Sequence, residues 1–148
     1  MDVASWAELE AAKPEFARRV RRLMTTRKHV TMATLRRDGA PRISGTEVEF
    51  EGGELRIGSM SGALKAADLL RDGRVAIHGP THDPAASGRW RGEAKVAGRA
   101  VPMQSADEIH RFRIDLAEVV ITHLNAARDR LVIESWNPGR GYRTSERA

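Results

Sequence analysis

The sequence predicts a mostly β, α+β fold: an antiparallel barrel of six or seven strands with a leading helix and one short inserted helix. Three observations carry that expectation. Two tight turns, Arg37-Asp38-Gly39 and Glu51-Gly52-Gly53-Glu54, follow one another between short β-branched or alternating segments and make an antiparallel meander. Helical stretches do not alternate with strands, which disfavours parallel βαβ architectures. The chain has 148 residues and no repeat or low-complexity linker, so a single domain over 1–148 is expected. A barrel, closed or partly open, suits such a set of strands because it removes exposed edges.

The elements follow in order. Residues 5–27 read as a helical segment, with Ser5 and Pro14 as start signals and Pro14 dividing it. Phe16, Val20, Leu23 and Met24 fall on one face, and Arg18, Arg19, Arg21 and Arg22 occupy the rest. The barrel is expected over about 29–136. Val30 to Leu35 is an apolar, β-branched run, Arg42 to Phe50 a second strand and Leu55 to Gly58 a third. In the second strand Ser44, Thr46, Val48 and Phe50 share one face. Ser59, Ser61 and Gly62 then lead into a short helix from Ala63, with a serine expected to cap its start and Gly73 just beyond its end. Val75 to His78, Arg89 to Val101, Arg111 to His123 and Leu131 to Trp136 complete the strands. Gln104 to about His110 reads as a brief helix or turn, and 137–148 as an irregular tail.

Composition narrows the chemistry. The absence of cysteine excludes disulfides, thiolate metal sites, iron–sulfur clusters and a Cys nucleophile. No apolar run is long enough to span a membrane, and the first 30 residues lack the apolar core of a signal peptide. A cytoplasmic protein is therefore expected. The net charge of +5 comes from 25 Lys+Arg, almost all of them Arg, against 20 Asp+Glu. A pI near 10.4 raises nucleic acid as a partner. However, the basic stretch from Lys13 to Lys28 is interleaved with an apolar helix face and offers no aromatic stacking groups. It reads as a solvated face, and nucleic acid is not expected as a partner.

The segment Ser59-Met60-Ser61-Gly62-Ala63-Leu64-Lys65 carries the clearest functional signal. A strand feeds a small-residue turn, which opens a helix bearing a lysine in its first turn. Free N–H groups and the dipole at a helix N-terminus favour anions, and serine hydroxyls and Lys65 add donors and charge. Arg42 and Ser44 are expected on a neighbouring strand. The same residues also fit a plain capped surface helix. His78 and His82 lack a third ligand at useful spacing, so no metal is expected. No nucleophile elbow, P-loop or GxGxxG occurs, and no side chain is assigned as catalytic. Trp136 suits either a plug at the barrel end or the border of an aromatic anion.

The run Met32-Ala33-Thr34-Leu35-Arg36-Arg37-Asp38-Gly39-Ala40-Pro41-Arg42-Ile43-Ser44 resembles the opening of the pyridoxamine 5′-phosphate oxidase-like family. So does Leu55 to Gly58, followed by Lys65 and Asp68-Leu69-Leu70-Arg71-Asp72-Gly73-Arg74-Val75, and so does Gly92-Glu93-Ala94-Lys95-Val96-Ala97-Gly98-Arg99-Ala100. The resemblance covers roughly residues 14–136. It implies an FMN-binding type of six-stranded split barrel, a homodimer with cofactor sites at the interface, and FMN or the deazaflavin coenzyme F420 as cofactor. The implied function is an oxidoreductase moving a hydride to or from a small, planar substrate, with a ligand-binding protein without turnover as the alternative. The Arg- and Ala-rich composition, typical of GC-rich genomes, tilts the choice toward F420. By position Lys65 matches the lysine that contacts the cofactor phosphate. Arg42, Ser44, Ser59, Met60, Ser61 and Gly62 match positions lining the phosphate or ring, and Trp136 matches a late tryptophan near the cofactor. The family often has a second basic residue just before the lysine, where this chain has Ala63 and Leu64. One phosphate partner is therefore either missing or supplied by Arg42, Arg56 or the partner chain. The substrate-binding Arg-x-His of true pyridoxamine phosphate oxidases is not clearly reproduced, so that reaction is not assigned.

Overall fold

The computed structural model describes all 148 residues. Three helices and nine strands form, in the order α1 (Trp6–Ala12), α2 (Pro14–Met24), β1 (Val30–Leu35), β2 (Pro41–Thr46), β3 (Val48–Glu51), β4 (Glu54–Ser59), α3 (Leu64–Arg71), β5 (Arg74–His78), β6 (Glu93–Met103), β7 (His110–Leu124), β8 (Leu131–Asn137) and β9 (Gly141–Arg147). All strand pairs are antiparallel, in the order β2-β1-β5-β6-β7-β4-β3. β8 pairs with β7, and β9 with β8. The two ends of the order, β2 and β3, are consecutive in sequence and meet at Glu47, so the sheet curls round without a hydrogen-bonded closure. This is an α+β split barrel.

The long strand β7 organises the split. Its first half, His110–Ile114, pairs with β4, and its second half, Val119–Leu124, pairs with β8, while β6 runs along its other edge. A bulge between Ala97 and Gly98 sets Ala117 out of register. Phe112, Ile114 and Leu116 point inward before it, and Val119 and Ile121 after it, so the bulge shifts the inward phase by one residue. Gly98 is required there: a Cβ would lie 1.8 Å from the Asp115 carbonyl oxygen.

The leading helices close one end of the core. Ser5 and Glu8 form a reciprocal capping box that starts α1. Pro14 ends that run and opens α2, as its ring allows at a first helical position. Phe16, Ala17, Val20, Leu23 and Met24 are buried along α2, and Trp6 packs edge-on against Phe50 with ring centroids 4.6 Å apart. Each such fully buried large side chain contributes about 1.5–3 kcal/mol from removal of apolar surface.

Several expectations are corrected. The strand read as Arg42–Phe50 is two strands, broken at Glu47 where the chain turns the barrel corner. The helix after β4 begins at Leu64 with Ala63 as its cap residue and no side-chain cap, so neither Ser59 nor Ser61 caps it. Of the two readings of Gln104 to about His110, helix or turn, the chain takes the turn, with bends over 106–108. The tail is not irregular: Gly141–Arg147 pairs with β8 as an edge strand, and its charged residues suit that edge. The strand count is nine rather than six or seven.

Candidate functional site

Helix α3 packs on β1, and its side chains reach β2 through two unlike clusters. One is closed. Asp68, buried on α3, accepts from Arg42 Nε (2.7 Å), Thr34 Oγ1 (2.8 Å) and Arg71 Nη2 (2.9 Å). Arg71 also donates to the Leu35 carbonyl (2.8 Å). Burial alone opposes ionisation of Asp68, but the three hydrogen bonds and the charge of Arg42 outweigh it and hold its carboxyl down to about 2. Arg42 is therefore engaged in holding β2 to α3. Arg56 is likewise committed, to Glu54 at 2.9 Å and Glu51 at 3.4 Å. Neither is a free second anion ligand.

The other cluster is open. A groove of about 490 Å³ is lined by Lys65, Thr46, Ser59, Met60, Arg111 and Gly58, with Gly45, His29, Glu47, Glu49 and Ile109 completing its walls. Lys65 sits in the first turn of α3 and donates to the Gly45 carbonyl oxygen on β2 (2.7 Å). That acceptor is neutral, the ammonium makes no ion pair although Glu47 and Glu49 line the same groove, and two of its three donors remain. Thr46 and Ser59 are 5% and 4% exposed, and the hydroxyls of both lack any hydrogen-bond partner. A buried hydroxyl without a partner costs about 1–3 kcal/mol, and these two lie in the wall beside Lys65.

The turn that delivers Lys65 depends on Gly62, whose φ of +82° lies in the left-handed region. With no side chain capping α3, the N–H groups of its first turn also remain without intrahelical acceptors. Arg111 comes from β7, directly opposite Gly58 of β4. Its guanidinium is 39% exposed and 3.1 Å from Asp107.

The structure thus brings Lys65, Ser59 and Met60 together. Ser61 and Gly62 lie in the exposed turn at the rim without lining the groove. Ser44 is half-buried on β2, on the same face as Arg42 and Thr46. Trp136 is elsewhere: it is 6% exposed, belongs to the core, and pairs with Val119, in the half of β7 away from Arg111. Within one chain it plugs the core and does not reach the Lys65 groove. Thr46, Gly58 and Arg111 were not singled out by sequence, since they join the site only through strand pairing. The exposed Met60 (78%) and Ile109 (39%) give the groove an apolar lip.

A family model described as pyridoxamine 5′-phosphate oxidase matches residues 16–135. No curated sequence matches the chain. Solved structures resemble it in fold. A pyridoxamine 5′-phosphate oxidase-related, FMN-binding protein from Nostoc punctiforme PCC 73102 has a TM-score of 0.68 at 11% identity, over 96% of this chain and 99% of that one. PhzG from Burkholderia lata 383, in complex with tetrahydrophenazine-1-carboxylic acid, has a TM-score of 0.62 at 13% identity, over 95% and 89%. General Stress Protein 26 from Bacillus anthracis str. Sterne has a TM-score of 0.56 at 12% identity, over 70% and 91%. At these identities the likeness is one of fold.

Proposed function

The chain belongs to the pyridoxamine 5′-phosphate oxidase family, and from that premise we propose that it is an oxidoreductase binding FMN or F420 in the Lys65 groove. The observation that carries this reading is the pair of buried, partnerless hydroxyls of Thr46 and Ser59 beside Lys65, which makes no ion pair. A phosphate group presents several strong acceptor oxygens, which is what those donors lack. The residues present therefore fit the phosphate end of such a coenzyme. Lys65, Thr46, Ser59 and the free N–H groups of α3 would hold that end; Arg111, paired with Asp107 at 3.1 Å, is no freer than Arg56 to act as a second basic group. Met60 and Ile109 offer apolar surface for a planar ring. FMN binding by the Nostoc relative supports the flavin side of the reading.

When bound, the coenzyme supplies hydride chemistry with a small, planar substrate. The chain's own part is to fix the phosphate and keep water from the ring. No acid or base of the chain is assigned. The alternative, binding without turnover, is favoured by one observation: Arg42, the expected second phosphate ligand, is spent on Asp68.

The protein is further proposed to act as a homodimer with the coenzyme sites at the interface. An outer face of β1, β2, β5 and β6 supports this. Ile43 is 75% exposed there, beside the small residues Ala33, Ala76 and Ala97. An exposed apolar patch of this kind marks an association surface. Ile43→Arg is expected to turn a dimer into a monomer in sedimentation; a wild-type monomer would refute the dimer.

Absorbance titration with FMN and with F420 tests the main reading. Binding of one of them at micromolar concentration is expected. Failure of both would overturn it. Binding with no oxidation or reduction by a panel of acceptors would select the alternative.

A further inference from the structure

A second cavity, about 310 Å³, lies between helix α2 and the ends of β6 and β7, away from the Lys65 groove. Arg19, Arg22, Arg91 and His123 line it, over a floor of Leu23 and Ile121. The floor residues are 8% and 1% exposed, so the base of the cavity is dry, while Arg22 and Arg91 stand exposed on its walls.

The charges on these walls are not balanced. Glu134 is the carboxylate beneath them. It is already engaged by Arg19 through both oxygens (2.8 and 2.5 Å), by the Tyr142 hydroxyl (2.7 Å) and by His123 Nε2 (2.9 Å). Burial opposes its ionisation, but Arg19 and Tyr142 outweigh that and hold its carboxyl down to about 2. Arg22 and Arg91 make no ion pair and no side-chain hydrogen bond, unlike Arg19 below them. The field on this side is felt by His82, which burial lowers from its ordinary value and which Arg27 and Arg91 push down further. His82 is anchored to Thr26, another residue of the cavity wall, at 2.9 Å.

Two guanidinium forks therefore face one small cavity from different elements, with the Arg19 fork held fixed beside them. One fork saturates a planar carboxylate, whereas a phosphoryl dianion has three terminal oxygens to share among several forks. We propose that this cavity is a second anion site, taking the phosphoryl group of a free phosphate ion or of a small phosphomonoester through Arg22 and Arg91. It is independent of the coenzyme reading, because none of its residues lines the Lys65 groove.

The test uses the full chain and the C–H resonances of His123, assigned by their loss in His123→Gln. Inorganic phosphate is titrated against chloride at matched ionic strength, and glycerol 2-phosphate serves as the monoester. A saturable His123 shift with phosphate is expected. It should weaken at least tenfold in Arg22→Ala/Arg91→Ala and persist in Lys65→Ala. Arg22→Gln/Arg91→Gln, which keeps side-chain bulk, should show the same weakening. No shift, an equal shift with chloride, a shift unchanged in both double variants, or one lost in Lys65→Ala would each overturn the proposal. Tighter binding of glycerol 2-phosphate than of phosphate identifies the monoester as the source of the phosphoryl group, and the reverse identifies the free ion.

Discussion

Asp68 and Lys65 sit one turn apart on α3 and face the same strand, yet their surroundings differ in kind. Around Asp68 every donor has an acceptor: Arg42, Thr34 and Arg71 all converge on one buried carboxylate. Around Lys65 the charge meets only a neutral carbonyl, and the nearby Thr46 and Ser59 hydroxyls meet nothing. A satisfied buried network fastens two elements together. The one three residues away leaves two hydroxyls unsatisfied, which costs stability and suits the ligand proposed for it. The contrast separates a basic residue committed to a buried carboxylate, Arg42, from one that meets only a neutral carbonyl, Lys65.

Breaking the closed cluster should have the largest effect. Asp68→Ala leaves Arg42 and Arg71 without their shared counter-charge, and is expected to cost about 3–5 kcal/mol of folding stability. Urea unfolding measures this, and a loss below about 1 kcal/mol would show the network to be dispensable. Acid should act next. The carboxyl of Asp68 is held down from 3.8 to about 2, and that of Glu134 from 4.5 to about 2. A depressed folded value stabilises above the unfolded one and is lost as pH falls through the folded one. Stability should therefore drop between about pH 4.5 and pH 2, by on the order of 2 kcal/mol for each group. Asp68→Asn should flatten that stretch of the urea midpoint against pH, and an unchanged slope would assign the acid loss elsewhere.

The open cluster should respond in the opposite sense, and by less. Thr46→Val and Ser59→Ala remove hydroxyls that have no partner. Stability should hold or rise by up to about 1 kcal/mol, while coenzyme affinity falls by about 1 kcal/mol per hydroxyl. Loss of stability with affinity intact would make these hydroxyls structural and remove the contrast.

The parts legible in the sequence were those set locally. The Asp38-Gly39 and Gly52-Gly53 turns, the division of the first helix at Pro14 and the strand-to-helix step at Ser59–Lys65 all lie within a few residues of their causes. The break at Glu47 was hidden, because no proline or glycine marks it and only the partners of β2 and β3, at opposite ends of the sheet, separate them. The edge strand β9 was hidden by its own polarity. In the groove, Lys65, Ser59 and Met60 are neighbours in sequence and could be found together. Arg111 and Gly58 meet only through the β4–β7 register, and Arg42 looked like a ligand because nothing local reveals that Asp68 is buried beneath it.

The central claim is that Lys65 grips a coenzyme phosphate. The direct test compares wild type and Lys65→Ala for whichever of FMN or F420 binds more tightly, alongside the counterpart lacking the phosphate. Lys65→Ala should weaken the phosphorylated coenzyme by about 1–3 kcal/mol and leave the phosphate-free counterpart unaffected. Equal affinity of wild type and Lys65→Ala for the phosphorylated coenzyme would contradict the account, as would an equal loss for both ligands.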